Sequence, residues 1–354
     1  MADVVLTSPH PDVPLFRRSI FTHLLGTTPD TPDLVGGFPA TSPAFFDAVT
    51  GTVLTRAALR SYALQFAHSL HNPPAPFVHP SRPNPPTILI FSPNCIIWPI
   101  LLHGVAAAGY RATLANSAYT SAELAFQYTN AGAHLVFVYP TLVHVVHDAL
   151  RSTGCTESEI RSRVVLLTSG WLTHTTDHIP SEFTHFASLD TFFGRGALPN
   201  EVNFDGQRSN ETLYLCYSSG TTGNPKGVET THYNLTSLIS ILQPAWPTMI
   251  PTGTPALPED RPSQLDVFFG SLPYFHIYGA IMLLLFPLSL GTPTVLIAGF
   301  DPMRFCEAIE RYKATVLLLV PPMLVVLARH NGTYPTPDVF LGSFLNIQRS
   351  TSTI

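Results

Sequence analysis

Short apolar runs alternate with helix-like segments between residues 87 and 167. A strand of a parallel sheet is buried on both faces, so it reads as a continuous apolar run rather than as an alternation. Strands that follow helices in this order predict a parallel sheet with helices on both faces. The predicted elements are strand 87–91, helix 95–108, strand 110–114, helix 121–131, strand 134–138, helix 142–152 and strand 163–167.

A second alternation begins at residue 212, after a region (171–210) that does not continue the first. Its predicted elements are strand 212–216, helix 231–242, strand 267–270, helix 278–290, strand 294–297, helix 302–312, strand 315–319 and helix 322–328. Upstream, Thr55 is a predicted N-cap because apolar residues follow it at helical spacing. Residues up to Ala48 show no periodicity and are predicted to be irregular.

The two alternations predict an α/β protein of two layered αβα subdomains with mainly parallel sheets. A chain of 354 residues is long enough for two or three compact units of roughly 150 residues each. The predicted division is 1–86 (irregular, with one strand-turn-helix), 87–170 (first α/β subdomain), 171–210 (connecting region), 211–330 (second α/β subdomain) and 331–354 (divergent tail).

Composition narrows the class of protein. Hydrophobic residues make up 45% of the chain and charged residues 12%, which excludes disorder and raises the question of a membrane protein. The two longest apolar stretches, 88–109 and 277–300, are interrupted by prolines, so each predicts buried core rather than a membrane span. A net charge of −5 without a basic cluster argues against a nucleic-acid partner.

The N-terminus has no apolar signal segment, and an intracellular, cytoplasmic location is expected. The four cysteines are widely spaced and form no C-x-x-C pair, which argues against a zinc site and a disulfide framework. Glu307 and Glu310 lie one turn apart on a predicted helix, where a solvated charged face is expected rather than a metal site.

Residues 217–228 read YSSGTTGNPKGV and predict a phosphate-binding loop. Glycines allow backbone N–H groups to turn toward an anion, hydroxyl groups add donors, and a lysine supplies a full positive charge. The sequence does not fit G-x-x-x-x-G-K-[ST], which argues against a Ras-like or ATPase loop. A flexible linker is the alternative, but linkers rarely have apolar strand flanks and a Pro-Lys-Gly ending. The candidate phosphate-binding residues are Ser218, Ser219, Gly220, Thr221, Thr222, Gly223 and Lys226, with Gly227 as a third loop glycine.

This stretch resembles the signature loop of the acyl-adenylate-forming (AMP-binding) enzymes, in the branch of 4-coumarate-CoA ligase and luciferase. The family loop is followed by Thr-His-x-Asn-Leu, which stands here at 231–235. The segment from residue 91, FSPNCIIWPILLHGVAAAGYRATLANSAYTSAEL, is similar to the first α/β layer of the same family. The resemblance implies the fold of that family's large domain.

A second family motif, L-P-x-F-H-x-x-G, is matched by LPYFHIYG at 272–279. By the resemblance, His276 is the catalytic histidine beside the reacting carboxylate, and Tyr278 is a wall of the acyl pocket. The motif follows a predicted strand at its carboxyl end, where open α/β sheets bind ligands. A core histidine with satisfied hydrogen bonds is the alternative for His276.

The resemblance implies an AMP-forming acid-CoA ligase of the 4-coumarate type. A small aryl or fatty carboxylic acid attacks the α-phosphorus of ATP, and coenzyme A then takes the acyl group. Both reactants of the first step are anions, so hydrogen-bond donors and Mg²⁺ must offset their repulsion. Lys226 and the loop hydroxyls are expected to hold the β and γ phosphates, and Thr222 to orient the nucleotide.

The family pattern weakens after about residue 327. The adenine loop, the magnesium-binding glutamate, the ribose-binding aspartate and the small C-terminal domain with its lysine have no counterpart here, so we expect a truncated large domain. Gly299 stands where relatives often place a Lys or Arg that contacts coenzyme A. A catalytically inactive fragment that binds nucleotide or acyl groups and acts through a partner is therefore the alternative function. The sequence leaves the oligomeric state open.

Overall fold

The larger of the two main sheets is formed mainly by strands of the first predicted strand-helix alternation, residues 87–167. A computed structural model describes residues 12–77, 85–218, 225–246 and 266–329. The larger sheet has seven strands, which are β5 (Thr87–Phe91), β6 (Arg111–Ala115), β7 (Ala133–Val138), β8 (Val164–Leu166), β9 (Ala187–Ser188), β10 (Thr212–Ser218) and β11 (Lys226–Thr231). Their order is β11-β10-β6-β5-β7-β8-β9, and all neighbouring pairs are parallel except β10 with β11. The predicted parallel sheet is confirmed, with one antiparallel edge.

The smaller sheet combines the second alternation with residues from the N-terminal region. Its strands are β3 (Pro43–Asp47), β4 (Val53–Thr55), β12 (Phe268–Gly270), β13 (Thr294–Leu296) and β14 (Val316–Leu317), in the order β14-β12-β13-β3-β4. β3 is parallel to β13, and β4 is antiparallel to β3. A separate two-stranded ribbon consists of β1 (Leu34–Val35) and β2 (Phe38–Pro39).

Helices cover both faces of the larger sheet. In chain order, the first helices of the described residues are α1 (Ile20–Leu25), α2 (Arg56–His71), α3 (Ile97–Ala108), α4 (Ser121–Asn130), α5 (Val143–Ser152), α6 (Glu157–Arg161) and α7 (Gly170–Thr173). α8 (His232–Ala245), α9 (Ile277–Gly279), α10 (Phe286–Ser289), α11 (Pro302–Tyr312) and α12 (Pro321–Arg329) follow. Short 3₁₀ turns lie at Pro140–Leu142, Ser181–Phe183, Leu189–Phe192 and Gly206–Asn210.

Helix α3 is buried along its whole length. Its side chains belong to a core cluster that also contains residues of both sheets, and this explains why the helix is apolar all round. Gly104 allows α2 and α3 to pack closely, since a Cβ at this position would lie 2.6 Å from the Phe66 ring. The opposite face of the larger sheet has its own core, formed with α4, α5 and α6.

Two predictions about element membership were wrong. Residues up to 48 were predicted to be irregular, but they contain α1 and the strand β3, whose Ala44 and Phe45 are fully buried. Strand 212–216 was assigned to the second α/β subdomain, but it pairs with β6 in the larger sheet. Strand pairing is a tertiary property that a single-sequence alternation does not contain, so the order along the chain was mistaken for the order in space. The predicted unit boundaries otherwise stay a prediction.

Most helix starts follow from local capping. Thr55 caps α2 by accepting a hydrogen bond from the Ala58 amide, and Thr120 with Glu123 forms a capping box at α4. The predicted helix 278–290 is less regular than expected, because a π-helical segment at Ala280–Leu285 separates α9 from α10. No helix in the described ranges is both apolar enough and long enough to cross a bilayer. All four cysteines are free thiols.

The buried guanidinium of Arg56, at the start of α2, connects this helix to α1, β1 and α10. Nε donates to the Val35 carbonyl (2.8 Å), Nη1 to the Leu288 carbonyl (3.0 Å) and Nη2 to the Leu24 carbonyl (2.9 Å). These acceptors lie in β1, α10 and α1. Burial lowers the pKa of Arg56 to about 10, so the side chain remains charged at neutral pH. The Phe38 ring covers its other face at 4.9 Å.

We expect Arg56→Ala to lower the free energy of unfolding by about 3 to 5 kcal/mol, because three carbonyl groups each lose a charged donor and the packing of the buried side chain is lost. Urea denaturation of the 354-residue chain measures this change. Arg151→Ala is the matched control: this helical arginine is 63% exposed, and its loss should cost less than about 1 kcal/mol. Equal effects of the two substitutions would contradict the role of Arg56.

Candidate functional site

The predicted phosphate loop connects the two strands of a β-hairpin. β10 ends and β11 begins with the pair Ser218 and Lys226, whose side chains are both exposed. Lys226 forms no ion pair with any residue that the structure describes. A free ammonium group and a hydroxyl therefore flank the loop. The other candidates, Ser219, Gly220, Thr221, Thr222 and Gly223, lie outside the described residues.

The sequence predicted a strand-loop-helix and missed β11. The helix does begin where expected, because Thr231 and Asn234 form a capping box at the start of α8. Residues between the loop and this cap are polar or small, which gave no strand signal. They form a strand because β10 provides a partner for their backbone groups.

Gly227 does not act as a flexible loop residue. It is a strand residue opposite Tyr217, and a Cβ on it would lie 3.1 Å from Cζ of the Tyr217 ring. The glycine is therefore needed for close packing rather than for an unusual backbone conformation. The Tyr217 hydroxyl in turn donates to Oδ1 of Asn130 at 2.6 Å, at the end of α4.

The hairpin of β10 and β11, here called the phosphate hairpin after its predicted loop, has that loop at the carboxyl edge of the larger sheet. β10 is parallel to β6 and β6 to β5, so Ser218 is at the same edge as Phe91. β5 is two strands away from β10, or about 10 Å at the usual strand spacing. Open α/β sheets bind ligands outside this edge.

Asn94, in the turn that follows β5, connects this edge to the motif at 272–279. Its Nδ2 donates to the Leu272 carbonyl at 2.9 Å, and its Oδ1 accepts from the Tyr274 amide at 2.9 Å. Both partners belong to the turn after β12, so one amide side chain joins the carboxyl ends of strands in the two sheets. Asn94 is only 6% exposed.

The rest of the motif is held from within. The Tyr274 side chain is fully buried, its hydroxyl donates to the Gly270 carbonyl at 2.9 Å, and its ring meets Trp98 edge to face. At Gly279, a Cβ would collide with the Pro273 carbonyl oxygen. Tyr274 and Gly279 thus maintain the turn.

His276 is the N-cap of α9 and is exposed, which argues against the core-histidine alternative. Its Nδ1 accepts from the Tyr278 amide at 3.2 Å, an arrangement that requires Nδ1 to be unprotonated and places the ring proton on Nε2. Tyr278 is 47% exposed. Both side chains are thus accessible at the same edge, and their assigned roles toward an acyl group stay predictions.

Sequence reasoning missed Asn94 and Tyr274. Both stand inside segments that resemble family motifs, but nothing in the sequence indicates that these segments meet in space. A buried asparagine after a buried strand was the available signal, because such a side chain needs partners for its donors and its acceptor.

Substitution of Asn94 by alanine should release the turn at 272–274. We expect hydrogen exchange of the Tyr274 amide to accelerate by about tenfold or more, since its acceptor is lost. Exchange measured by mass spectrometry on peptides that cover 272–280 tests this. Asn72→Ala, at an exposed asparagine, is the control and should leave exchange in these peptides unchanged. Unchanged exchange in Asn94→Ala would refute the connection between Asn94 and the turn.

His232, the second residue of the segment after the hairpin, is a buried neutral side chain. Its Nδ1 accepts from the Ile20 amide at 3.3 Å, and its ring stacks on Phe204 at 4.3 Å. Burial, assisted by the Arg208 guanidinium, lowers the pKa of His232 from 6.5 to about 4. The segment therefore fixes α8, which directly follows the hairpin, to α1.

The depressed pKa of His232 predicts a loss of stability in acid. The unfolded chain takes up the proton near pH 6.5 and the folded chain only near about pH 4, so the contribution is complete above pH 6.5 and is lost as the pH falls to about 4. His232→Asn keeps an acceptor but cannot titrate. We expect its unfolding free energy to fall less steeply, by up to about 1.4 kcal/mol per pH unit.

Urea denaturation at several pH values in this window measures both slopes. His23 and His103, whose pKa values burial also lowers to about 4, affect both proteins equally and cancel in the comparison. Identical slopes would show that His232 is not neutral in the folded state.

Within the described ranges, no three His, Cys, Asp or Glu side chains come close enough together to hold a metal ion. Glu307 and Glu310 are exposed on α11, and Asp301 caps that helix by accepting from the Arg304 amide. The solvated charged face predicted for α11 is what the structure shows.

The family model for an AMP-binding enzyme matches residues 34–346. Among curated relatives, a probable CoA ligase (CCL5) of Humulus lupulus is 31% identical over 243 residues, which cover 69% of this chain and 39% of that protein. The 4-coumarate-CoA ligase-like protein 3 of Arabidopsis thaliana is 30% identical over 284 residues, with 80% and 45% covered. The chain spans less than half the length of these relatives.

Solved structures share the fold at lower identity. ATP-bound MatB of Rhodopseudomonas palustris superposes with a TM-score of 0.64 at 20% identity, covering 88% of this chain and 51% of that one. The red-emitting luciferase of Phrixothrix hirtus gives a TM-score of 0.66 at 19% identity, with 90% and 53% covered. The described α/β layers therefore have the arrangement that these enzymes have in their matched half.

Proposed function

The chain belongs to the AMP-binding enzyme family, and we propose that it activates a small carboxylic acid with ATP and transfers the acyl group to coenzyme A. In the first step the carboxylate oxygen bonds to the α-phosphorus and pyrophosphate leaves. In the second step a thiol bonds to the acyl carbon and AMP leaves. Mg²⁺ would accompany the nucleotide and neutralise part of its charge.

The observation that supports this proposal is the unpaired ammonium of Lys226 at the carboxyl edge of the larger sheet. A lysine with no carboxylate partner among the described residues is available to a phosphate oxygen. Ser218, opposite it in the hairpin, adds an exposed hydroxyl. These two groups stand at either end of the loop that we assign to the β and γ phosphates.

The arrangement of residues at the carboxyl edge also supports our assignment of His276 and Tyr278 to the carboxylic acid substrate. Asn94 joins the motif that contains His276 to the turn after β5, whose carboxyl end is at the same edge of the larger sheet as the hairpin. His276 with its proton on Nε2 is a hydrogen-bond donor for a carboxylate oxygen. Tyr278 offers an exposed aromatic wall. An aryl or fatty acid, including the 4-coumarate type that the relatives' names suggest, suits such a wall.

A second function is binding without turnover, in which the chain holds a nucleotide or acyl group and acts through a partner. The exposed Lys226 ammonium and Ser218 hydroxyl account for binding of a nucleotide, and binding alone does not require turnover. The two functions agree on the nucleotide site and differ only in whether pyrophosphate is released.

Carboxylate-dependent exchange of pyrophosphate into ATP, measured with a panel of aryl and fatty acids, tests the first function. We expect Lys226→Ala to reduce exchange by about 10- to 100-fold, which corresponds to a lost charged hydrogen bond. Lys313→Asn is the matched control, because Lys313 is exposed and has a φ of 53° that asparagine accepts.

Calorimetry with ATP separates the outcomes. ATP binding that weakens in Lys226→Ala, without exchange for any acid, supports the binding function. Absence of ATP binding in the wild-type chain would contradict both functions. Equal exchange in Lys226→Ala and the wild type would remove Lys226 from the phosphate site.

A further inference from the structure

A cleft of about 410 Å³ begins at the amino end of the larger sheet, opposite the proposed active site, and extends along β10 as far as Tyr217. Its walls include the first residues of β5 and β6, the last turn of α4 and the hairpin strands β10 and β11. The length of β6 separates this end from the carboxyl edge by about 13 Å. The volume is in the range of small-molecule sites, about 300 to 1,000 Å³. We call it the amino-end cleft.

A guanidinium without a partner among the described residues lies in this cleft. Arg111, the first residue of β6, has a buried Nε that forms no hydrogen bond with that part of the chain, and no carboxylate of it lies within 4.0 Å of the Arg111 side chain. A buried donor on a charged group is costly to leave unsatisfied. An anionic ligand would provide the missing acceptor, and a carboxylate fits the planar guanidinium through two parallel hydrogen bonds.

An acceptor stands on the far side of the same cleft. Thr113, Leu215 and Glu229 are aligned across β6, β10 and β11, and Arg111 lies two residues before Thr113 on the same face. Glu229 is thus two strands from Arg111, or about 10 Å across the sheet. Its carboxylate accepts from the Thr212 hydroxyl at 2.6 Å and is otherwise exposed.

Between these charges the cleft is lined by flat apolar surface. Leu215 and the Tyr217 ring form its floor, and Pro86 lies beside them. The Tyr217 ring is held in place by Gly227 beneath it and by the hydrogen bond to Asn130. The floor is therefore formed before any ligand binds.

We propose that the amino-end cleft is a second small-molecule site, which takes a compact flat carboxylate that has a hydrogen-bond donor at its other end. The carboxylate pairs with Arg111, the flat body lies on Leu215 and Tyr217, and the donor reaches Glu229. Arg111, the anion-binding end of this site, is separated from the nucleotide site by the length of β6. The other end of the site is attached to the phosphate hairpin, since Tyr217 and Glu229 belong to β10 and β11 and Tyr217 directly precedes Ser218.

Titration calorimetry on the full chain with 4-hydroxybenzoate as the probe tests the proposal. We expect Arg111→Gln to weaken binding by about tenfold or more, and the exposed Arg151→Gln to leave it unchanged. Benzoate, which lacks the donor, should bind about fivefold more weakly than 4-hydroxybenzoate, and 4-hydroxybenzyl alcohol, which lacks the carboxylate, should not bind detectably.

Glu229→Gln provides a second test that does not depend on a buried side chain. It should weaken 4-hydroxybenzoate by about fivefold and leave benzoate unaffected, because only the first ligand has the donor. Thermal melts by circular dichroism establish that both variants are folded. Binding of 4-hydroxybenzoate that is insensitive to both substitutions overturns the site. Inorganic phosphate that binds as tightly as 4-hydroxybenzoate, and that Arg111→Gln weakens, overturns the ligand class.

The substitution His276→Ala distinguishes binding at the acyl site of the proposed function from binding at the amino-end cleft. Binding to the amino-end cleft should survive this substitution, whereas binding beside the phosphate hairpin should not. Loss of 4-hydroxybenzoate binding in His276→Ala, with no effect of Arg111→Gln, would place the probe at the carboxyl edge and refute the second site. Failure of pyrophosphate exchange alone leaves the Arg111-dependent binding unaffected.

Discussion

The fold depends on one buried positive charge. Arg56 begins helix α2, and its guanidinium donates to carbonyl groups of α1, β1 and α10. No carboxylate of the described residues pairs with Arg56, and its charge is stabilised by backbone dipoles and by the Phe38 ring. The segment that contains α1, β1 and β3, which looks irregular in the sequence, is thereby made part of the core that carries both sheets. Gly36, whose φ is 60°, allows the chain to turn beside this side chain.

The candidate site is built on the same principle of backbone groups satisfied by single side chains. Asn94 uses both its donor and its acceptor on one turn, and Tyr274 closes that turn from inside. These contacts require that the two sheets keep a fixed relation. The sheets in turn are held by the shared core around α3. The geometry of the candidate site is thus a consequence of core packing and not of the loop sequences alone.

Local signals in the sequence were sufficient to predict many helices and strands. They were insufficient to predict which strands pair and which distant side chains meet. The N-cap at Thr55, the capping box at Thr120 and the helix at Pro302–Tyr312 were all predicted, because each is determined by residues a few positions apart. β3 and β11 were missed because strands of five or six mainly polar or mixed residues form only when a neighbour supplies hydrogen bonds. The same limit applies to the site: the motif at 272–279 was identified, while Asn94, which is about 180 residues away along the chain, was found only in the structure.

The position of the hairpin has a consequence for how the chain behaves in solution. β11 is the outermost strand of the larger sheet, and an uncovered outer strand offers its backbone to other molecules. Lys226 and Glu229 place opposite charges on this strand, while the strand at the other border, β9, is only two residues long. Charge at one border and shortness at the other both discourage intermolecular strand pairing. The ammonium that we assign to nucleotide phosphates therefore also helps to keep copies of this protein from joining into aggregates.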